Sequence, residues 1–182
     1  ITASAGEVGY TEISARGINQ GRFPLLYQGQ TRFGEILATS NLENSIQNAV
    51  NANGDTSFLK NKELTLTSIA AAARKGDKIA EDALKEYGQI LGVLAISVIN
   101  FFNPESIILG GPMIDICPHV LEEATKVAKA EELYVPAAVV KITAGALKNR
   151  AGTLGAVGMV LQDLFKPPVV NLATYRSLML PE

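Results

Sequence analysis

The feature that most constrains this chain is a long apolar helix pattern that stops just before a short strand. Through residues 79–102 apolar side chains recur at i, i+3, i+4 and i+7, which is the pattern of an amphipathic helix. Few polar residues interrupt the second half of the pattern, so we expect that half to be packed on several sides. The apolar positions are Ile79, Ala83, Tyr87, Ile90, Leu91, Leu94, Val98, Ile99 and Phe102.

The end of this helix and the strand after it are also encoded locally. Asn103 and Pro104 should end the helix, because proline disfavours helical geometry in the residue before it and lacks a backbone N–H. Residues 106–109 (Ser-Ile-Ile-Leu) are predicted to form a short strand. Gly110 and Gly111 follow its carboxyl end, which is where ligands usually bind in open α/β sheets.

The rest of the chain alternates between strand and helix patterns, which predicts a layered α/β domain. Ser40 and Glu43 form a Ser-x-x-Glu capping box, and Thr67 and Asp77 are also placed to cap helices. In order, the further predictions are a strand over residues 8–13, a helix after Ser40 ending at Asn53-Gly54, a short helix capped by Thr67, a helix starting at Pro118, a strand over 138–143 and a helix over 151–165.

Composition limits the classes of function. A chain of 182 residues that is 47% hydrophobic can bury one good core, and no apolar run reaches the roughly 20 residues that a membrane-spanning helix needs. One cysteine allows neither an internal disulfide nor a cysteine zinc cluster, which fits the cytoplasm. A net charge of −2 without a dense basic run argues against a nucleic-acid surface. Because the sequence starts with Ile1, we expect a further segment upstream.

Four stretches together resemble the ROK family, which contains repressors of sugar operons and bacterial sugar kinases. They run over about residues 5–164, the third is the most specific, and their order and spacing match the family. The resemblance is closest to the branch of xylose and N-acetylglucosamine repressors. The stretches are Ala5-Gly-Glu-Val-Gly-Tyr10, Ala73-Arg-Lys-Gly-Asp77, Asn103-Pro-Glu-Ser-Ile-Ile-Leu-Gly-Gly111, and Ala144-Gly-Ala-Leu to Ala151-Gly-Thr-Leu-Gly-Ala156.

The resemblance implies an actin-like ATPase, ribonuclease H-like lobe with a mixed sheet packed by helices. It implies that residues 1–166 form a C-terminal lobe for effector binding and oligomerisation, followed by a tail of residues 167–182. The partner lobe and any DNA-binding domain would lie upstream of this sequence. Family members are usually dimers or tetramers, and we expect an exposed apolar face on the helix Pro118–Ala130 to serve as an interface.

The first stretch carries the expected sugar contacts. The resemblance implies that Glu7 binds sugar hydroxyls, a task that suits a carboxylate because it accepts hydrogen bonds from two adjacent hydroxyls. The alternative is that Glu7 ties down its own loop through backbone N–H groups. Tyr10 stands where the family has histidine, and it either donates a hydroxyl or stacks on a sugar, or is a packed aromatic.

The family's zinc motif is missing from this chain. The family's cysteine cluster and the histidine replaced by Tyr10 hold a structural zinc, but residues 9–46 here contain neither cysteine nor histidine, so we expect no metal. Other contacts must then stabilise residues 28–35. A second sugar-binding glutamate would follow the cluster; Glu35 is the candidate, although the best alignment places Ile36 there.

Two further motifs favour a structural interpretation. Gly110 and Gly111 match the turn that holds adenosine in the kinases, but a repressor can keep this turn without a nucleotide. Cys117-Pro118-His119 invites a metal or nucleophile reading, yet a buried thiol beside a helix start explains it more simply. We therefore expect no cofactor and no catalytic residue in this chain.

Three functions remain at this stage. The first is the sugar-effector-binding domain of a ROK transcriptional regulator, which is not an enzyme and contacts DNA only through its upstream domain. The second is the C-terminal lobe of an ATP-dependent, glucokinase-like sugar kinase, whose general base and phosphate loops would lie upstream. The third is an assembly domain with a degenerate pocket. The absent zinc motif favours the regulator, because an altered sugar site is easier to tolerate where no chemistry occurs.

Overall fold

The computed structural model describes residues 6–13, 23–53, 56–130 and 140–166. The chain forms two compact units, Ile1–Lys148 and Asn149–Glu182. No helix among the described residues is long and apolar enough to cross a membrane. The elements in order are a 3-10 turn Val8–Tyr10, α1 (Phe33–Ile36), α2 (Thr39–Asn53), α3 (Leu66–Arg74), α4 (Lys78–Phe102), β1 (Ser106–Leu109), α5 (Pro112–Ile116), α6 (Pro118–Ala130), β2 (Lys141–Ala144), a second 3-10 turn Lys148–Arg150 and α7 (Ala151–Leu164).

The long helix α4 has both of the ends that the sequence predicts. At its start the Asp77 carboxylate accepts hydrogen bonds from the backbone N–H groups of Ile79 and Ala80, which satisfies two of the donors that a helix leaves unpaired. At its end Asn103 takes a left-handed conformation with φ 43°, directly before Pro104. The helix buries Ala80, Ala83, Ile90, Ala95 and Ile99 in the core, so the predicted helix is confirmed. Its second half is packed on fewer sides than we expected, because most of residues 91–102 are half-buried or exposed.

Asp77 also anchors a neighbouring turn. Its Oδ2 accepts hydrogen bonds from Ser57 Oγ at 2.7 Å and from the backbone N–H of Phe58 at 2.6 Å. Burial alone would raise the pKa of the Asp77 carboxyl. The hydrogen bonds from Ser57 and from the backbone lower the pKa by more than burial raises it, so the net pKa lies below 3.8. One ionised carboxylate therefore fixes both the start of α4 and the turn at residues 57–58.

Two glycines of α4 let α6 approach closely. A Cβ at Gly88 would lie 2.9 Å from the backbone oxygen of Val120, and one at Gly92 would lie 2.7 Å from Val127 Cβ. Both distances are shorter than ordinary van der Waals contact, so only glycine fits at these two positions. The facing side of α6, with Val120, Ala124, Val127 and Ala128, is buried.

The described sheet consists of two parallel strands. β1 pairs with β2 in the register Ser106↔Lys141 to Leu109↔Ala144, which confirms the strand predicted at residues 106–109. The predicted strand at 138–143 corresponds to β2, although residues 138–139 lie outside the described part. A third strand, which a mixed sheet requires, is not among the described residues, so the mixed sheet stays a prediction.

Three local predictions were wrong. Residues 8–13 form a 3-10 turn and one isolated bridge instead of a strand. They pack across residues 31–36, where Gly9 meets Gly34. Ser40 is the second residue of α2 and so cannot be its N-cap. Thr65, not Thr67, caps α3: its side chain accepts from the N–H of Ser68, and the Ser68 hydroxyl accepts from the N–H of Thr65.

Two predicted surfaces also differ from the structure. Phe102 belongs to the apolar stripe of α4 but is 68% exposed. The apolar face of α6 is covered by α4 of the same chain, so it is not the exposed interface that we expected on this helix. The predicted boundary between a lobe of residues 1–166 and a tail stays a prediction, since residues 167–182 lie outside the described part.

Candidate functional site

Two short segments that are distant in sequence cross at a pair of glycines. Glu12 and Arg32 form an antiparallel bridge, with hydrogen bonds from Ile13 N to Thr31 O at 2.7 Å and from Phe33 N to Thr11 O at 3.1 Å. At the crossing, a Cβ on Gly34 would lie only 3.1 Å from the backbone oxygen of Gly9. The absence of side chains at both positions therefore brings residues 6–13 against residues 31–36.

The crossing forms one wall of a cavity that contains the predicted sugar-binding residues. The cavity has a volume of about 380 Å³, inside the roughly 300–1,000 Å³ typical of small-molecule sites. Glu7 and Tyr10 come from the first segment, and Glu35 comes from the second. The complete lining is Glu7, Gly9, Tyr10, Arg32, Gly34 and Glu35.

Glu7 stands at the start of the 3-10 turn Val8–Tyr10, with its side chain in solvent. The turn is closed by backbone hydrogen bonds, from Tyr10 N to Glu7 O and from Thr11 N to Val8 O, both at 3.1 Å. The Glu7 carboxylate makes no capping hydrogen bond to this turn. Within the described residues, the alternative in which Glu7 ties down its own loop therefore has no capping hydrogen bond to support it, and the exposed carboxylate can accept hydrogen bonds from a ligand.

Arg32 also lines the candidate cavity but was not among the predicted residues. Its guanidinium carbon lies 5.8 Å from the centre of the Tyr10 ring, within the range of a cation–π contact. Its Nη1 is 3.9 Å from Glu35 Oε1, and both side chains are about half exposed. No motif identified Arg32, because its partners are set by the crossing of the two segments.

The structure distinguishes Glu35 from Ile36. Ile36 is 1% exposed and belongs to the hydrophobic core, whereas Glu35 is exposed and lines the cavity. The short helix α1 turns these neighbours in different directions. Two carboxylates, a guanidinium and a phenol thus surround one cavity, which is a set of donors and acceptors that suits a ligand with several hydroxyl groups.

A buried carboxylate holds the segment that leads into the cavity wall. Glu86 on α4 accepts hydrogen bonds from Leu26 N at 2.8 Å and from Leu25 N at 3.1 Å. Burial raises the pKa of the Glu86 carboxyl, and the two backbone N–H groups act in the opposite direction. These contacts fix the first part of residues 23–37, which we name the arm.

A buried amide fixes the arm further along. Asn41 Nδ2 donates to the backbone oxygens of Leu26 and Ile36, both at 2.9 Å, and its Oδ1 accepts from Gln30 Nε2 at 3.1 Å. Apolar side chains of the arm, at Phe23, Leu26, Phe33 and Ile36, are buried in the core. These are the contacts that the sequence analysis required to stabilise residues 28–35.

The remaining candidate residues lie elsewhere. Gly110 and Gly111 follow β1, and Gly111, with φ 109°, precedes the first turn of α5. Cys117 is buried just before Pro118, as predicted, and burial raises the pKa of its thiol. Within the described ranges, no three His, Cys, Asp or Glu side chains form a group that could hold a metal ion.

A larger cavity, of about 720 Å³, lies between α3, the first turns of α4 and residues 115–123. Its wall mixes apolar groups with charges of both signs, including Arg74, Lys85 and Asp115. Cys117 and His119 line it, but His119 Nδ1 is already paired with Glu122 Oε2 at 3.1 Å. Neither Glu7, Tyr10 nor Glu35 lines this larger cavity.

Known proteins share both the fold and part of the sequence. The structure matches a ROK family glucokinase from Streptomyces griseus in complex with glucose and AMPPNP, with a TM-score of 0.65, 22% identity, and coverage of 85% of this chain and 51% of that one. It also matches a ROK family transcriptional regulator, a homologue of the E. coli MLC protein, with a TM-score of 0.60, 26% identity and coverage of 77% and 34%. The fold is therefore that of the actin-like ATPases.

The sequence comparison gives the family. The chain belongs to the ROK family, whose model matches residues 33–163. It is 29% identical over 106 residues to the xylose repressor of Caldicellulosiruptor bescii, covering 58% of this chain and 27% of the repressor. The chain thus spans about a quarter of the length of that relative. Glu7 and Tyr10 precede the part that the family model matches.

Proposed function

We propose that this chain is the sugar-effector-binding part of a ROK transcriptional regulator of carbohydrate metabolism. The observation that carries the proposal is the cavity where Glu7, Tyr10, Arg32 and Glu35 meet. Carboxylates and a guanidinium in a partly closed site can hydrogen-bond the hydroxyls of a sugar, and a site built this way rejects ligands that lack them. Similarity to a xylose repressor and to an MLC homologue supports the regulatory role.

In this proposal the sugar acts by shifting a conformational equilibrium. A sugar that binds one arrangement of the two lobes more tightly than the other will raise the population of that arrangement and change the spacing of DNA-reading helices in a homodimer or tetramer. DNA contacts would come from a part of the regulator outside these 182 residues, which carry a net charge of −2. No covalent step is needed.

Binding of sugars to the full chain tests this proposal directly. We expect a panel of D-xylose, D-glucose and N-acetyl-D-glucosamine to include at least one ligand measurable by isothermal titration calorimetry. Glu7→Gln should weaken the binding of that ligand by about 1.5–3 kcal/mol, since hydrogen bonds to a charged group are lost. Glu12→Gln is the matched control, because Glu12 is exposed on the same segment but does not line the cavity. Equal affinities in the wild type, Glu7→Gln and Glu12→Gln would show that Glu7 does not contact the ligand.

A second candidate function is the C-terminal lobe of a ROK sugar kinase. Similarity to the glucokinase fold favours it. The glycine turn after β1 also favours it, since the family resemblance equates this turn with the one that holds adenosine in the kinases. A kinase requires a general base and Mg²⁺-bound phosphates positioned beside the sugar. In this alternative the base and the phosphate loops belong to the partner lobe, so sugar-dependent ADP release with ATP and Mg²⁺ is measured on the protein that contains both lobes, and turnover there would establish this function in place of the regulator.

A further inference from the structure

A second, smaller cavity adjoins the candidate sugar site. Its volume is about 250 Å³, and it shares Glu7 with the first cavity. This is below the roughly 300–1,000 Å³ of a complete small-molecule site, so the second cavity suits an extension of a ligand rather than a ligand of its own. The other residues that line it are Gly6, Val8, Thr11, Leu94, Ser97, Val98, Phe101 and Phe102.

Two exposed phenylalanines form the outer part of this second cavity. Phe101 is 78% and Phe102 is 68% exposed, although Ile99, on the same helix, is only 1% exposed. Adjacent exposed aromatic rings beside a cavity are characteristic of a binding surface. Thr11 and Ser97 add hydroxyl groups to the wall. Flat apolar rings next to hydrogen-bonding groups match a sugar ring, which has C–H faces and a rim of hydroxyls.

We propose that the ligand extends from the first cavity into the second, so that the site takes a disaccharide rather than a single sugar. This inference rests on the proposed sugar-binding function. The first ring contacts Tyr10, Arg32 and Glu35, and the second ring packs on Phe101 and Phe102. Glu7 lines both cavities, so its two carboxylate oxygens can accept hydrogen bonds from hydroxyl groups of both rings.

Paired ligands test the second subsite. Calorimetry on the full chain would compare D-xylose with xylobiose, D-glucose with cellobiose, and N-acetyl-D-glucosamine with its β-1,4 disaccharide. We expect one disaccharide to bind about tenfold tighter than its monosaccharide, the size of effect that one well-packed aromatic contact supplies. Phe101→Leu and Phe102→Leu should remove this difference and leave the monosaccharide affinity unchanged, because leucine keeps apolar area but has no flat face.

Phe58→Leu is the control substitution, since Phe58 is 47% exposed and lies outside both cavities. A monosaccharide that binds as tightly as its disaccharide would overturn the second subsite and leave the sugar-binding function standing. If no sugar of either length binds, the proposed function fails as well. If another protein surface covers the phenylalanines instead, both variants should change the oligomeric mass measured by light scattering and spare the disaccharide affinity, which also overturns the subsite.

Discussion

Glu86 Oε1 accepts a hydrogen bond from the backbone N–H of Leu26 at 2.8 Å, joining two residues 60 positions apart. Glu86 lies on the central helix α4, and Leu26 lies on the arm that continues to Arg32 and Glu35. The helix therefore positions one wall of the candidate site through a carboxylate that is buried and is itself outside the cavity. This contact gives the first prediction.

Glu86→Gln should destabilise the protein and loosen the arm. The amide oxygen can still accept a hydrogen bond, but the NH2 group then faces a backbone donor, and an unpaired buried donor costs about 1–3 kcal/mol. Urea unfolding gives the loss, and hydrogen exchange at Leu25 and Leu26 should become faster. Glu81→Gln is the control, since Glu81 is exposed on the same helix and should change stability by less than about 0.5 kcal/mol.

The Glu86 carboxylate should also make the free energy of unfolding depend on pH. Burial raises the pKa of Glu86 above its ordinary value of 4.5. Between the ordinary pKa of 4.5 and the raised pKa of the folded state, the folded state binds more protons than the unfolded state. The free energy of unfolding should therefore fall as pH rises through this window. The difference between the wild-type and Glu86→Gln stability curves isolates this contribution. Parallel curves would show that Glu86 titrates as an exposed group.

Tyr87→Phe should remove an alkaline loss of stability. The Tyr87 hydroxyl donates to the backbone oxygen of Leu37 at 2.8 Å, and burial raises its pKa from 10.0 to about 12. The folded state keeps this proton where the unfolded state loses it, so stability falls as pH rises from about 10 to about 12. At neutral pH the variant should lose about 1 kcal/mol.

The measurement for Tyr87 is urea unfolding at several pH values above 9. Tyr10→Phe is the comparison, because the Tyr10 side chain is 69% exposed and therefore lacks the burial that acts on Tyr87. The alkaline slope should persist in Tyr10→Phe and become smaller in Tyr87→Phe. An unchanged slope in both variants would mean that other groups cause it.

Gly92→Ala should separate α4 from α6. The added Cβ would lie 2.7 Å from Val127 Cβ and 2.8 Å from the backbone oxygen of Ala124, and backbone cannot move away cheaply. Overpacking of this kind costs about 1–3 kcal/mol. Thermal unfolding measures the effect against Gly110→Ala, where a Cβ would meet nothing within 4 Å. Equal melting temperatures for the two variants would contradict the close approach of these helices.

Local patterns predicted the central elements well. The stripe of α4, its cap at Asp77 and its stop at Asn103 depend on residues that are adjacent in sequence, and so does β1. The strand expected at residues 8–13 failed because loose alternation cannot reveal the crossing of Gly9 with Gly34, which decides the local backbone. At α3 two threonines could serve as cap, and only the reciprocal bond with Ser68 selects Thr65.

The candidate site was predictable only where a family motif covers it. The resemblance singled out Glu7, Tyr10 and Glu35, which line one cavity, but it had no motif for Arg32. Glu86 was missed for a different reason: a glutamate in an amphipathic helix is normally solvated, and its partners are 60 and 61 residues away. Long-range pairing of a single polar group leaves no periodic signal.

The way in which the arm is fastened affects how the protein responds to its surroundings. Residues 23–37 are held by a carboxylate, an amide and apolar side chains, and this stretch contains no thiol and no imidazole. Chelators and mild oxidants act on thiolate-bound zinc and have no corresponding target in the arm. Removal of zinc and mild oxidation should therefore leave the contacts of the arm intact.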